Sequence, residues 1–205
     1  MYEGDNGNKK RWWRVPTDTL TDESLMLRIG EGDQVAYGIL VNRHLNMNLG
    51  FAYKLLGNKA EAEEVMQEAF IRVWKHASRW DPSRKTRFTT WFYRVVTNLC
   101  YDVGRKRKPQ ENVEVLDRMA SDEISADNVI AVDQRSKQVK RALEELPKRQ
   151  HTAIMLCYFQ GLSNREAADV MEVSLNALES YLVRARRNLA DILQDDKDNL
   201  LKEIG

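Results

Sequence analysis

Apolar residues recur along most of this 205-residue chain at intervals of three and four, and no stretch longer than a few residues alternates apolar and polar as a half-buried strand would. The pattern predicts an all-α fold. After a polar start, Asp22 to Ile29 reads as a helical segment, Gly30-Glu-Gly-Asp33 interrupts it, and Val35 to Leu56 continues as a longer helix ended by Gly57. Asn58 is placed to cap the next helix, with Glu61 three residues on as its capping-box partner. In that helix Ala62, Val65, Met66, Ala69, Phe70, Val73, Trp74 and Ala77 form a face to be buried. Glu63, Glu64, Gln67, Glu68, Arg72 and Lys75 are left on the opposite side for a partner. Asp81-Pro82-Ser83 breaks the helix, and another is expected from Thr89 or Thr90 to about Lys106.

Residues 109–133 are weakly apolar, carry no persistent stripe, and read as a flexible acidic linker between two small helical domains. Four short helices follow. Val139, Ala142, Leu143 and Leu146 mark the first, stopped at Pro147; Ala153, Ile154, Cys157 and Tyr158 mark the second, closed by Gly161. Ser163 with Glu166 forms a capping box opening a third that runs through Met171, and Ser174 caps a fourth that runs to about Leu193. A short helix, a tight turn and a longer helix with a basic end is the helix-turn-helix arrangement. The chain thus divides into a disordered tail over 1–20, helical domains over 21–108 and 134–194 on either side of the linker, and a second tail over 195–205.

The content, 42% apolar and 31% charged, belongs to a soluble globular protein, and a net charge of +1 says nothing of partners until its distribution is considered. Residues 84–108 hold eight cations against the single acid Asp102, whereas 111–133 hold seven acids against Arg118 alone. Cys100 and Cys157 lie on different segments without a Cys-x-x-Cys or Cys/His cluster, which argues against a zinc or disulfide framework and fits a reducing cytoplasm. No apolar run is long enough to span a bilayer, and the first eight residues lack a secretory core, so no membrane association is expected. His44, His76 and His151 are far apart with no nucleophile or carboxylate constellation, and there is no Gly-rich phosphate loop. Neither an active site, a metal nor a cofactor is expected, which sets aside an all-α enzyme.

On the last helix, a projection at 100° per residue puts Leu178, Leu182, Ala185 and Leu189 on one stripe and Asn176, Ser180, Val183, Arg184 and Arg187 on the other. Asn and Ser can read base edges, and the arginines can reach phosphate or guanine. The alternative is a solvated basic face on an ordinary helical hairpin. The capping box, tight turn and arginine run together favour DNA. In the helix after Thr90, Phe92, Val95, Leu99 and Val103 separate from a face bearing Trp91, Arg94, Asn98, Tyr101 and Arg105. Rings that stack on unpaired bases, beside arginines that hold the backbone, suit single-stranded nucleic acid. Taken singly, Trp91 and Tyr101 each read first as rings packed at an interhelical rim. Asn98 is more telling, because a mid-helix Asn has poor propensity and offers both a donor and an acceptor to a base edge. The Lys9-Lys10-Arg11-Trp12-Trp13-Arg14 run reads as part of the disordered tail, with a membrane-surface or nucleic-acid contact as the other reading.

The segment Ala62-Glu-Glu-Val-Met-Gln-Glu-Ala-Phe-Ile-Arg-Val-Trp74, followed by Arg87-Phe-Thr-Thr-Trp-Phe-Tyr-Arg-Val-Val-Thr-Asn-Leu99, closely resembles region 2 of extracytoplasmic-function sigma factors of the sigma-70 family. Leu146-Pro147, Gln160-Gly-Leu-Ser-Asn-Arg-Glu-Ala-Ala168 and Leu182-Val-Arg-Ala-Arg-Arg-Asn-Leu189 resemble their region 4, in the family's order. The resemblance implies a non-enzymatic, cytoplasmic subunit of bacterial RNA polymerase that directs promoter-specific initiation in a stress or envelope response. It implies docking on the β′ clamp helices through Glu64, Gln67, Glu68, Ile71 and Arg72, and a contact of region 4 with the β flap. It assigns the minus-ten element to Arg84, Lys85, Arg87, Phe88, Trp91, Arg94, Asn98, Tyr101 and Arg105. It assigns the minus-thirty-five element to Ser174, Asn176, Ala177, Glu179, Ser180, Tyr181, Arg184 and Arg187. An anti-sigma factor covering both domains is implied as well.

The last helix departs from the common pattern. Where many relatives carry a Gly-Thr-Val-Lys-Ser-Arg-like stretch, this chain has Asn176-Ala-Leu-Glu-Ser-Tyr181, so Glu179 and Tyr181 replace two frequent basic positions. Glu179 either accepts from cytosine or repels phosphate. A competing class is a regulator using only the helix-turn-helix, for which a strand-opening face from Trp91 to Asn98 has no use.

Overall fold

The computed structural model describes residues 20–83, 86–106 and 138–204, with side chains described as far as residue 194. Among them every regular element is helical. Helix α1 (Asp22–Gly30) starts where the Thr21 side chain accepts from the Ser24 amide, and its first turn carries Asp22 and Glu23, as the positive helix end favours. Helix α2 (Gln34–Leu56) is capped by Asp33, whose Oδ1 accepts from the Val35 and Ala36 amides at 2.9 and 3.0 Å. The other Asp33 oxygen accepts from Arg28 Nε at 2.8 Å, which ties the end of α1 to the start of α2. Gly57, at φ +68°, ends α2 in the left-handed conformation that glycine adopts without steric cost.

Helix α3 (Lys59–Ala77) opens with Asn58 Oδ1 accepting from the Glu61 amide at 3.1 Å. Its buried face carries seven of the eight residues that the periodicity assigns to it, from Ala62 to Ala77. Trp74 is the exception: it is 40% exposed and meets Tyr37 edge-on at the rim between α2 and α3. Gly30 is required at the end of α1 because a Cβ there would lie 2.7 Å from the Ala77 carbonyl oxygen. The first and third helices touch backbone to backbone at that point.

Helix α4 (Phe88–Lys106) begins one residue earlier than Thr89, and the reason lies 65 residues away. Glu23 Oε1 accepts from the Phe88 amide at 3.0 Å, so a carboxylate from α1 satisfies an orphan N–H of α4. Phe51, Phe88, Phe92 and Phe70 fill the centre of this four-helix unit, with Phe88 and Phe92 stacked at 5.4 Å.

The second unit comprises α5 (138–144), α6 (Lys148–Ile154), α7 (Asn164–Met171) and α8 (Leu175–Ile204). A π-helical turn over Met155–Phe159 continues α6 and ends before Gly161, whose φ is +69°. The capping box forms in both directions: the Glu166 amide donates to Ser163 Oγ and the Ser163 amide donates to Glu166 Oε2. Between α7 and α8, Glu172 takes φ +54°, and the Ala177 amide donates to Ser174 Oγ at 3.2 Å. The α8 backbone continues past Leu193 to Ile204, since no Gly or Pro intervenes to stop it.

The two units are packed on each other, although the sequence suggests independent bodies on a tether. Helix α4 lies against α7, and Tyr93 is buried between the halves. The Tyr93 hydroxyl donates to Gln160 Oε1 at 2.8 Å while its ring meets Phe51 edge-on. Burial there pushes the Tyr93 phenol up to about 12. Lys54 lies 4.2 Å from the Phe159 ring centroid, a cation–π contact between the same halves. The proposed linker over 109–133 lies outside the described residues, as does the tail bearing Lys9 to Arg14.

Candidate nucleic-acid and polymerase interfaces

Helix α3 is amphipathic, so packing its apolar face on α2 and α4 leaves Glu64, Gln67, Ile71 and Arg72 exposed on one surface with Glu68 half-buried among them. Glu68 and Arg72 pair at 2.9 Å across one helical turn. Ile71 and Trp74, at 44% and 40% exposure, add an apolar strip beside the charges. Sequence reasoning missed Trp74 here, because a position at the boundary of a helical stripe projects onto either side.

On α4 the reading face is split. Asn98 is half-buried. Arg105 is exposed and pairs with Asp102. Trp91 is half-buried beneath the His76 ring, near-parallel at 5.3 Å. Phe88 is not on this surface: it is fully buried among Trp80, Trp91, Phe92 and His44 and seats the helix. Arg84 and Lys85 lie outside the described residues.

The remaining α4 residues face the second unit. Tyr101 lies against Thr152, Arg149 and Tyr181; burial, the largest influence on its hydroxyl, drives that pKa upward. Arg94 approaches Glu172 at 3.8 Å and the exposed Arg87 approaches Glu166 at 3.9 Å, so two of the expected DNA ligands are matched by carboxylates of α7 and its turn. Hydrogen bonds within the capping box, above all, hold the Glu166 carboxyl below its ordinary range, with Arg87 adding to them.

On α8, Asn176, Glu179, Arg184 and Arg187 are exposed, Ser174 is exposed as the cap, and Ser180 and Ala177 are half-buried. Tyr181 is turned inward, half-buried against the core beside Tyr101, in the packing of the two halves. A helix has sides, and residue 181 falls on the flank that α4 occupies. Val183, by contrast, is 62% exposed in the middle of the outward face. No group of three or more His, Cys, Asp or Glu side chains among the described residues could hold a metal ion, and no helix among them is long and apolar enough to cross a membrane.

A basic and aromatic helix face joined to a helix-turn-helix defines a two-part DNA-binding protein of the promoter-recognition class. Sequence comparison gives the same result. The profile described as Sigma-70 region 2 matches residues 40–110 and that of Sigma-70, region 4 matches 136–189. The chain is 30% identical to the ECF RNA polymerase sigma factor SigE of Mycolicibacterium smegmatis, covering 88% of this chain and 71% of the relative. It is 29% identical to SigW of Bacillus subtilis, covering 82% and 94% respectively. The solved structure of CnrH in complex with the cytosolic domain of CnrY superposes with a TM-score of 0.65 at 26% identity, covering 85% of this chain and 98% of that one. The chain belongs to the sigma-70 family, in its extracytoplasmic-function group, and is a sigma factor that directs transcription initiation.

Proposed function

We propose that this sigma factor docks on the β′ clamp helices of core RNA polymerase through Glu64, Gln67, Glu68, Ile71 and Arg72, with Trp74 extending the contact. Residues 21–108 form the unit that opens the minus-ten element, residues 109–133 tether it, and residues 134–194 read the minus-thirty-five element while contacting the β flap. Arg87, Trp91, Arg94, Asn98, Tyr101 and Arg105 hold the separated strand, with Arg84 and Lys85 preceding them in the chain. Asn176, Glu179, Ser180, Val183, Arg184 and Arg187 enter the major groove, with Ser174 and Ala177 at the helix start. The protein acts in the cytoplasm, in a stress or envelope response, and leaves all chemistry to the polymerase. An anti-sigma factor holds it inactive, as CnrY is found in complex with CnrH.

The observation that carries this reading is the half-buried Asn98 set on one helix with Trp91, Arg94 and Arg105. Flipping a base costs a few kcal/mol, and a preset donor and acceptor beside stacking rings recovers part of that for a matching base. A regulator acting without polymerase has no need of such a face. The test is transcription from a genomic promoter library by core polymerase with and without the protein. New, defined start sites are expected, and an unchanged transcript pattern would refute the assignment. Asn98→Ala should weaken promoter opening by about tenfold while leaving affinity for core within twofold, measured by permanganate reactivity and by core titration.

A further inference from the structure

Between the two surfaces assigned to polymerase and to DNA, the end of α3 and the start of α4 border a shallow, solvent-open cleft of about 420 Å³ lined by Arg72, Lys75, His76, Arg79, Trp91 and Val95. No carboxylate lines it. Arg72 is shared with Glu68 on the rim, but Lys75 and Arg79 are exposed and have no ion-pair partner among the described residues. Beside these cations is a stack: the exposed His76 ring covers Trp91 at 5.3 Å with 14° between the planes. Trp80 and Phe88 brace Trp91 at 5.7 and 5.8 Å, so the plate beneath the imidazole is fixed.

Cations call for an anion and a braced ring stack calls for a flat ring. An acidic side chain would satisfy the first and leave the second unused, whereas an unpaired nucleotide uses both. Position agrees with chemistry. From Arg105 to Trp91 the α4 face runs about 21 Å along the helix, and the cleft opens at its Trp91 end, where a strand laid along that face arrives. We propose that the cleft seats one unpaired nucleotide of the melted DNA strand beyond Asn98, its phosphate held by Lys75 and Arg79 and its base stacked on His76 over Trp91. This rests on the strand-opening role proposed above and extends it to residues that the α4 face does not include.

The experiment uses holoenzyme reconstituted with each variant and a forked promoter fragment whose non-template strand is single-stranded downstream of the duplex. On single strands each phosphate neutralised contributes about 0.7 to the salt dependence of binding, so Lys75→Ala with Arg79→Ala, which frees the one seated phosphate, should reduce the slope by about 0.7. His76→Ala should weaken fork binding about fivefold, and His76→Phe, which keeps a stacking ring, less than twofold. A methylphosphonate at the seated position should remove the salt effect of the double variant. An unchanged slope, or equal loss with His76→Phe and His76→Ala, would overturn the proposal. So would weakened core affinity with unaltered fork binding, which would make the cleft a polymerase contact. Wild-type holoenzyme that starts no promoter-specific transcript would overturn the sigma assignment itself, a failure that these variants leave distinguishable.

Discussion

Tyr93→Phe tests the packing of the two halves with one atom. The substitution removes the 2.8 Å bond to Gln160 and leaves the ring against Phe51. A hydrogen bond of this kind contributes about 1 kcal/mol net, and because Gln160 is half-buried, water can reach it once the partner is gone. Opening of the halves should therefore become about fivefold more populated, while the four-helix unit keeps its own core. The proposed assignment of the halves to the minus-ten and minus-thirty-five elements requires them to part, since those elements lie about 25 base pairs apart, about 85 Å of duplex, and here α4 touches α7. Hydrogen exchange of the α7 amides by mass spectrometry should accelerate about fivefold in the variant, with little change in the interior of α2. Gln160→Leu should do the same, and the double variant no more than either single one, since both delete one bond. Exchange in α7 that is unchanged by both substitutions, or strictly additive effects, would refute the reasoning.

Other predictions follow from contacts within each half. Gly30→Ala forces a Cβ into the Ala77 carbonyl at 2.7 Å and should cost about 1–3 kcal/mol, read as a lower denaturant midpoint at unchanged slope. Ser163→Ala removes one arm of the capping box and should cost about 1 kcal/mol, a fall of about 2–4 °C in melting temperature for a chain of this size. For Asp22, burial alone would raise the carboxyl pKa, but the bonds from His44 at 2.8 Å and Arg43 at 3.1 Å prevail and lower it. A depressed folded pKa gives stability that is present above the unfolded value of about 3.8 and lost as pH falls through the folded one. Circular dichroism during acid titration should show that loss in the wild type, and Asp22→Asn should lack this increment and be less stable at neutral pH.

Local signals served the sequence reading well. The three-and-four repeat of α3, the Asn58 and Ser163 caps and the glycines that end α2 and the π turn all act within a few residues, and each forms as expected. What a projection supplies is an angle, and what decides burial is which neighbour stands at that angle. Phe88 and Tyr181 sit on plausible reading faces until Phe92 stacks on one and α4 flanks the other. Trp74 fails in the opposite direction, left at a rim because Tyr37 covers only its edge. The closeness of the halves was not legible at all. Tyr93 and Gln160 are 67 residues apart, and neither has a residue type that announces a partner. His76 and Arg79 went unnoticed as a pair with Trp91 for the same reason: they lie on one helix and the ring on the next.

The Glu23 bond to the Phe88 amide bears on where DNA can lie. A bare helix start is an anion seat, with N–H groups and the positive dipole end turned outward, and α4 carries the face proposed to hold DNA. A carboxylate from α1 already fills that seat. Phosphate is turned away from the backbone there and left to side-chain cations, which can be placed residue by residue along the strand's route. On the proposed DNA-binding role, Glu23 thus reserves this helix start for the protein's own carboxylate, and the route of the strand is set by side chains alone.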